Sequence, residues 1–146
     1  MKYRYNMMLA SLLAGLAFSN ASLGIVHAMA HSLGGGFDLA HGVCNAILLE
    51  GAVDYNYPHA QKKYDELAAA MGVDISCKTD NIKQLLLDRL KDLRIKLGIT
   101  TKLSGMGIKS HNVPGLSRFV LADPCILTNP VMPTQNDIER LYERLL

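Results

Sequence analysis

An all-α fold is what this sequence predicts, and three observations predict it. Apolar residues recur at three- and four-residue intervals, as in Ile82, Leu85, Leu86, Leu90, Leu93 and Leu97, the spacing that lines one face of a helix. No stretch alternates apolar and polar residues over the length of a strand. Glycines and prolines stand where the periodic runs end, at Gly34-Gly35-Gly36, Pro58, Gly72, Gly98, Pro114 and Pro124. The chain has 146 residues, a length that suits one domain of ordinary size. A composition of 49% hydrophobic and 19% charged residues fits a buried core and excludes wholesale disorder. The expectation is one helical domain over residues 1–146.

The elements follow in order. Lys2 and Arg4 precede an apolar run from Met7 to Phe18, and Ser19-Asn20-Ala21 follows it. This is the pattern of a secretory signal with a cleavage site. It is equally the pattern of a buried helix whose small residues, Ala10, Ala14, Gly15 and Ala17, allow close packing. The run falls short of the ~20 apolar residues of a spanning helix, so no membrane association is expected. Ser22 is a suitable N-cap for a helix from Leu23 to Leu33, which Gly34-Gly35-Gly36 is expected to stop. A third helix is read from His41 or Gly42 to Val53, with Val43, Ala46, Ile47 and Leu48 at helical spacing. Pro58 opens a helix to Met71, closed by Gly72. Asp80 to Leu97 is the most regular helix, closed by Gly98, with Asp88–Lys91 and Asp92–Lys96 as favourable pairs on its solvated faces. Ile99 to Val113 reads as loop, with a turn at Leu103 to Met106. Pro114 starts a short helix through Leu121, ended by Asp123-Pro124. Thr134-x-x-Asp137 has the form of a capping box and introduces a last helix bearing Ile138, Leu141, Tyr142 and Leu145.

Charge and cysteine content narrow the function classes. Fifteen Lys and Arg against thirteen Asp and Glu leave a net charge of +2. The signs are interleaved along the chain, which is no footprint for nucleic acid. The three cysteines, Cys44, Cys77 and Cys125, have no C-x-x-C spacing and cannot all pair within one chain. That argues against a disulfide scaffold and against export, and for a reducing compartment.

The informative segment runs from Gly24 to Asn45. His27 and His31 are four residues apart, so on a helix their imidazoles share a face, ~5–6 Å apart at Cβ. His41 follows after the glycine turn, which folds the chain back toward them. Imidazole is a good ligand for Zn, Fe, Ni or Cu. A pair at this spacing is also what a partly buried polar pair looks like. Ala28 and Met29 follow His27, so there is no H-E-x-x-H of a zincin-type protease.

These residues resemble the C-terminal helical domain of the iron-containing (group III) alcohol dehydrogenases. That family carries a G-x-x-H-x-x-A-H-x-x-G signature, matched by Gly24, His27, Ala30, His31 and Gly34, followed by an element matched by His41-Gly42. The likeness starts near Met7 and reaches the last helix. Asp123-Pro124-Cys125 with Thr128-Asn129-Pro130 resembles the family's closing segment, while Pro58 to Pro114 matches only in pattern. On this resemblance the N-terminal run is a core helix of a catalytic domain, and the compartment is the cytoplasm.

The resemblance implies an NAD(P)-linked oxidation of an alcohol to an aldehyde, or the reverse. It implies one divalent metal, Fe(II) or Zn, held by an Asp and three His, two of which match His27 and His41. His31 matches a histidine beside the metal and near the nicotinamide, where it could relay a proton or position the cofactor. Phe18 is a candidate wall of the substrate and nicotinamide pocket. Asp38 is not the acidic ligand in the family pattern, and Cys44 is a small core residue.

There are departures. No Asp-x-x-x-His occurs, since Asp54 leads to Pro58 and Asp38 to Gly42. A glycine-rich nucleotide-binding domain is missing. Ala40 replaces the family's usual Pro before His-Gly, and Glu50 stands where a Pro commonly ends the helix. The expectation is therefore a C-terminal remnant with little activity alone and an exposed apolar surface. Its partner would be a complementary N-terminal half or a second copy of itself. A different class remains open: a non-catalytic helical module that binds a metal through His27, His31 and His41, or binds a sister subunit. An exported helical protein, cut after Ala21, is a third reading.

Overall fold

The computed structural model describes residues 1–75 and 81–146. Cys77 and the expected helix start at Asp80 lie outside the described residues. Among the described residues the elements are helices and turns, with no strand. They are α1 (Lys2–Ala21), α2 (Ile25–Phe37), α3 (His41–Asn56), α4 (Gln61–Ala70), α5 (Ile82–Lys96), α6 (Val113–Ala122) and α7 (Gln135–Glu143). Short 3₁₀ turns lie at Tyr57–His59, Ser104–Met106, Ser110–Asn112 and Pro124–Thr128.

The core forms where α2, α3, α6 and α7 meet. Ile25, Ala28, Met29, Ser32 and Leu33 follow one another at helical spacing down the buried face of α2. They pack with Cys44, Ile47 and Leu48 of α3, Leu116 and Val120 of α6, and Ile138, Leu141 and Tyr142 of α7. Tyr142 is wholly buried, and its hydroxyl donates to the Met29 carbonyl oxygen at 2.9 Å. Burial pushes that hydroxyl's pKa up. A smaller apolar cluster joins Val53 of α3, Ala68 of α4, and Leu86 and Leu90 of α5.

Local chemistry explains most of the boundaries. Gly72 and Gly98 close α4 and α5 at φ of +83° and +77°, a region open to glycine at no steric cost. The capping box at α7 forms as expected. Thr134 Oγ1 accepts from the Asp137 N–H at 3.2 Å, and Asp137 Oδ2 accepts from the Thr134 N–H at 2.9 Å. Glu50 does not end α3, which runs on to Asn56. Its carboxylate instead takes the Arg94 guanidinium of α5 at 2.5 Å, and Arg94 also donates to the Ile99 carbonyl at 2.7 Å. The charges of α5 thus pair across elements, Lys83 doing so with Asp54, while Asp88 accepts from Gln84 along the helix.

Four expectations are corrected. Ser22 does not cap α2, whose N-cap is Gly24 with no side-chain hydrogen bond. Pro58 lies in the 3₁₀ turn Tyr57–His59, and α4 starts only at Gln61. Gly34-Gly35-Gly36 does not stop α2, which continues to Phe37 and ends at Asp38 in the left-handed region, φ +53°. The glycines lower helix propensity by up to about 1 kcal/mol each, but packing of α2 against α3 and α6 outweighs that local cost. The N-terminal run is helical, yet it is no core helix of this chain: α1 has no buried residue. Met7, Met8, Leu12, Leu13 and Leu16 are exposed along it. Among the described residues no single helix is long and apolar enough to cross a membrane. By length and composition α1 and α2 pass that test only as a pair bent by 104°.

Candidate metal and cofactor site

The three histidines of the motif converge. His27 and His31 lie one turn apart on α2. Ala40, at φ −60° and ψ 118°, turns the chain so that His41 is the first residue of α3. Ring centres stand 5.5 Å apart for His27 and His41, 5.3 Å for His31 and His41, and 6.2 Å for His27 and His31. The rings of His31 and His41 are stacked, 19° from parallel.

Gly24, the first motif residue, has a steric reason to be glycine. A Cβ there would stand 3.0 Å from Asn129 Oδ1. That oxygen accepts from the Ile25 N–H at 3.1 Å, at the N-terminus of α2. It also accepts from the Asn56 amide at 2.9 Å, and the Asn129 amide returns a hydrogen bond to Asn56 Oδ1 at 2.8 Å. This reciprocal pair ties the start of α2 to the end of α3, and so sets where His27 and His31 stand relative to His41.

Asp123 holds His31. Its Oδ2 lies 2.8 Å from His31 Nδ1, and its Oδ1 accepts from the Cys125 N–H at 2.8 Å. Burial works to raise the Asp123 carboxyl, but the Cys125 N–H, the Cys125 thiol and His31 outweigh it and hold the group below its ordinary value. An ionised carboxylate only accepts, so His31 Nδ1 is the donor of this hydrogen bond. His27 is held below its ordinary value by burial first, then by His41 and His31, with Asp123 acting the other way. Both effects favour the neutral ring, the form that binds a metal.

Two cavities flank the rings. One of about 500 Å³ is bordered by Gly24, His27, His41, Asn45, Asn129 and Tyr64 among others. The other, about 430 Å³, is bordered by His31, Gly35, Gly36, Phe119 and Asp123 among others. Both fall in the range of small-molecule sites. Asn45 Nδ2 lies 2.9 Å from His41 Nε2. Asn45 Oδ1 is buried with no hydrogen-bond partner among the described residues, an unused acceptor on the side chain that meets His41.

A divalent ion fits the donor chemistry of His27 and His41. Two imidazoles on one tetrahedral ion place their ring centres about 5 Å apart, given bonds near 2 Å. The observed 5.5 Å matches that spacing. Phe18 is not brought into the ring cluster: it sits on α1, 47% exposed. Asp38 caps α2, and Cys44 is buried in the core. Sequence reasoning missed Asp123 as the partner of His31, 92 residues away, because Asp-Pro reads locally as a helix stop. It also missed Asn45, whose only signal is the four-residue spacing from His41.

The chain is similar to known proteins in sequence and in fold. The family model described as the Fe-containing alcohol dehydrogenase family, C-terminal, matches residues 1–146. The chain is 37% identical over 145 residues to the 1,3-propanediol dehydrogenase of Citrobacter freundii, covering 99% of this chain and 38% of that protein. It is 36% identical over 137 residues to the lactaldehyde reductase of Escherichia coli K12, covering 93% and 36%. Among solved structures it resembles a 1,3-propanediol oxidoreductase, with a TM-score of 0.90, 35% identity, and 94% of this chain aligned to 36% of that one. An alcohol dehydrogenase from Oenococcus oeni gives a TM-score of 0.88 at 35% identity, with the same coverage. The chain thus spans little more than a third of the length of these relatives.

Proposed function

The chain belongs to the iron-containing alcohol dehydrogenase family, and from that premise we propose that residues 1–146 act as one helical domain supplying half of a metal site to an NAD(P)-linked alcohol–aldehyde oxidoreductase. The observation that carries this reading is the convergence of the motif histidines, with ring centres 5.3 to 6.2 Å apart. His27 and His41 would hold Fe(II) or Zn. Lewis acidity toward an alcohol oxygen, and acceptance of the hydride, are what the metal and the dinucleotide supply when bound.

The chain's own residues do the rest. His27, whose neutral form is favoured by burial and by its two neighbours, offers a lone pair. His31, fixed by Asp123, receives a proton at Nε2 and passes it to solvent, since the ring is 42% exposed. Phe18 would wall the substrate pocket once α1 is covered. Two further metal ligands and a dinucleotide site would come from outside these residues, so the isolated chain has little activity. The covering partner is a complementary dehydrogenase half or a second copy of this chain, and the compartment is the cytoplasm. The substrate is a small alcohol or aldehyde, in keeping with what the names of the relatives state.

The test compares the purified chain alone with the chain co-expressed with the N-terminal two-thirds of a relative. NADH formation from 1,3-propanediol with Fe(II) is the readout. The expected result is no turnover alone and turnover on complementation, lost in His27→Ala and His41→Ala. Enzyme-like turnover by the chain alone overturns the half-site reading. N-terminal sequencing that found a cut after Ala21 would overturn the cytoplasmic one.

A further inference from the structure

We propose a second metal site in this chain, built by His31, Asp123 and Cys125 and distinct from the His27–His41 pair. One ligand atom from each of the three lies within 4.8 Å of the other two. Ligand atoms on a tetrahedral ion, with bonds of about 2.0–2.3 Å, stand roughly 3.3–3.7 Å apart. An ion therefore needs the triad to close by up to about 1.5 Å, within the reach of side-chain rotation.

The scaffold presents the donors together. Asp123 caps the 3₁₀ turn Pro124–Thr128, and its Oδ1 takes the Cys125 N–H. Ile126, next in the chain, is buried in the core and anchors the turn. His31 comes from α2 and already reaches Asp123 Oδ2 at 2.8 Å. Cys125 is a free thiol and only partly buried, unlike Cys44, which is sealed in the core. The cavity of about 430 Å³ bordered by His31 and Asp123 leaves room for water in a fourth position.

The donor set names the metal class. Imidazole, carboxylate and thiolate together suit Zn(II) or Co(II), and a thiolate disfavours Mg and Ca. Three donors with an open position match the ligand count of sites that keep a water. Loading releases the Cys125 thiol proton to solvent, and the proton that His31 shares with Asp123 at Nδ1 moves through solvent to Nε2 as the ion takes its place. The site uses neither ligand of the dehydrogenase reading, but it competes with that reading for His31. A metal bound there withdraws His31 from proton transfer, so occupation of the second site would silence the first.

Cobalt titration of the purified full chain tests this. Co(II) bound to thiolate gives a near-ultraviolet charge-transfer band, which imidazole and carboxylate ligation alone does not. The expected result is a saturable band with one cobalt per chain. It should disappear in Cys125→Ser, persist in Cys77→Ser and in His27→Ala, and require at least about tenfold more cobalt in Asp123→Asn. Cobalt bound without the band, a band that survives Cys125→Ser, or no binding at all overturns the proposal. The first of these, combined with loss on His27→Ala, would leave the dehydrogenase pair standing alone. A band lost in Cys125→Ser but not in His27→Ala supports the second site, and the dehydrogenase pair is then judged by the complementation assay alone. Should Cys125→Ser fail to fold, alkylation of the unmutated chain decides. Zn(II) is expected to slow labelling of Cys125 at least about tenfold while leaving Cys77 unchanged, and equal labelling with and without Zn(II) overturns the site.

Discussion

Gly24 and Asn129 meet with no room for a side chain between them: a Cβ on Gly24 would lie 3.0 Å from Asn129 Oδ1. Asn129 cannot readily give way, because that oxygen holds Ile25 and Asn56 while its amide nitrogen holds Asn56 and Val131. The backbone at Gly24, φ −158°, is ordinary extended chain, so the constraint is the neighbour and not the torsion. Gly24→Ala is expected to cost about 1–3 kcal/mol through the displaced amide pair, read as a lower urea midpoint with unchanged slope. Unchanged stability would mean that the pair shifts without loss.

The Ala40 backbone is already shaped for proline. Its φ of −60° is the value a pyrrolidine ring imposes, and its N–H donates no hydrogen bond among the described residues. Ala40→Pro is expected to stabilise the chain by about 0.4–1 kcal/mol, by restricting the unfolded state. A rise in melting temperature checks it, and a fall would show that Leu39 clashes with the ring.

Asp137 links stability to pH. Its carboxyl is held below its ordinary value of 3.8 by the Thr134 hydroxyl, the Thr134 N–H and, more weakly, Tyr55 and Arg140. A depressed folded value means the stabilisation is fully present above the ordinary value and is lost as pH falls through the folded one. Thermal melts of the chain should therefore drop on acidification below 3.8, and Asp137→Asn should flatten that part of the profile. Thr134→Ala removes the same cap at neutral pH and is expected to cost about 1 kcal/mol.

The capping box, and the closing glycines at 72 and 98, were legible because each is local: the residues that form them lie within four positions of one another. The histidine cluster was legible because its spacing is helical and its motif recurs in a known family. What the sequence hid is long-range. Asp123 meets His31, Asn129 meets Gly24, and Glu50 meets Arg94 only after α2, α3 and α5 have packed. The reading of Gly34–Gly36 as a stop weighed intrinsic propensity alone, and tertiary contacts along α2 overrode it. The reading of α1 as a core helix came from the family resemblance; its apolar residues mark a surface to be covered without saying which chain covers it.

That surface makes its own prediction. Leu12 and Leu16 are 60% and 56% exposed, and α1 buries nothing in the core. Leu12→Glu with Leu16→Glu is expected to change folding stability by no more than about 0.5 kcal/mol. It should also lower the apparent mass by light scattering at high concentration, because a large exposed apolar patch drives association. A marked loss of stability would show that α1 packs against the body of the chain.

The three glycines at the end of α2 have a mechanical consequence. Each surrenders more chain entropy on ordering than any other residue, roughly 0.5–1 kcal/mol beyond alanine, and the last bond they support runs from the Asp38 N–H to the Gly34 carbonyl at 2.9 Å. This turn opens more easily than the core, and amide exchange there should be faster than in the buried middle of α2. It is also the only covalent path between His31 and His41. The imidazoles are thus carried by two helices that the core holds together, joined beside the rings by a turn of low helix propensity.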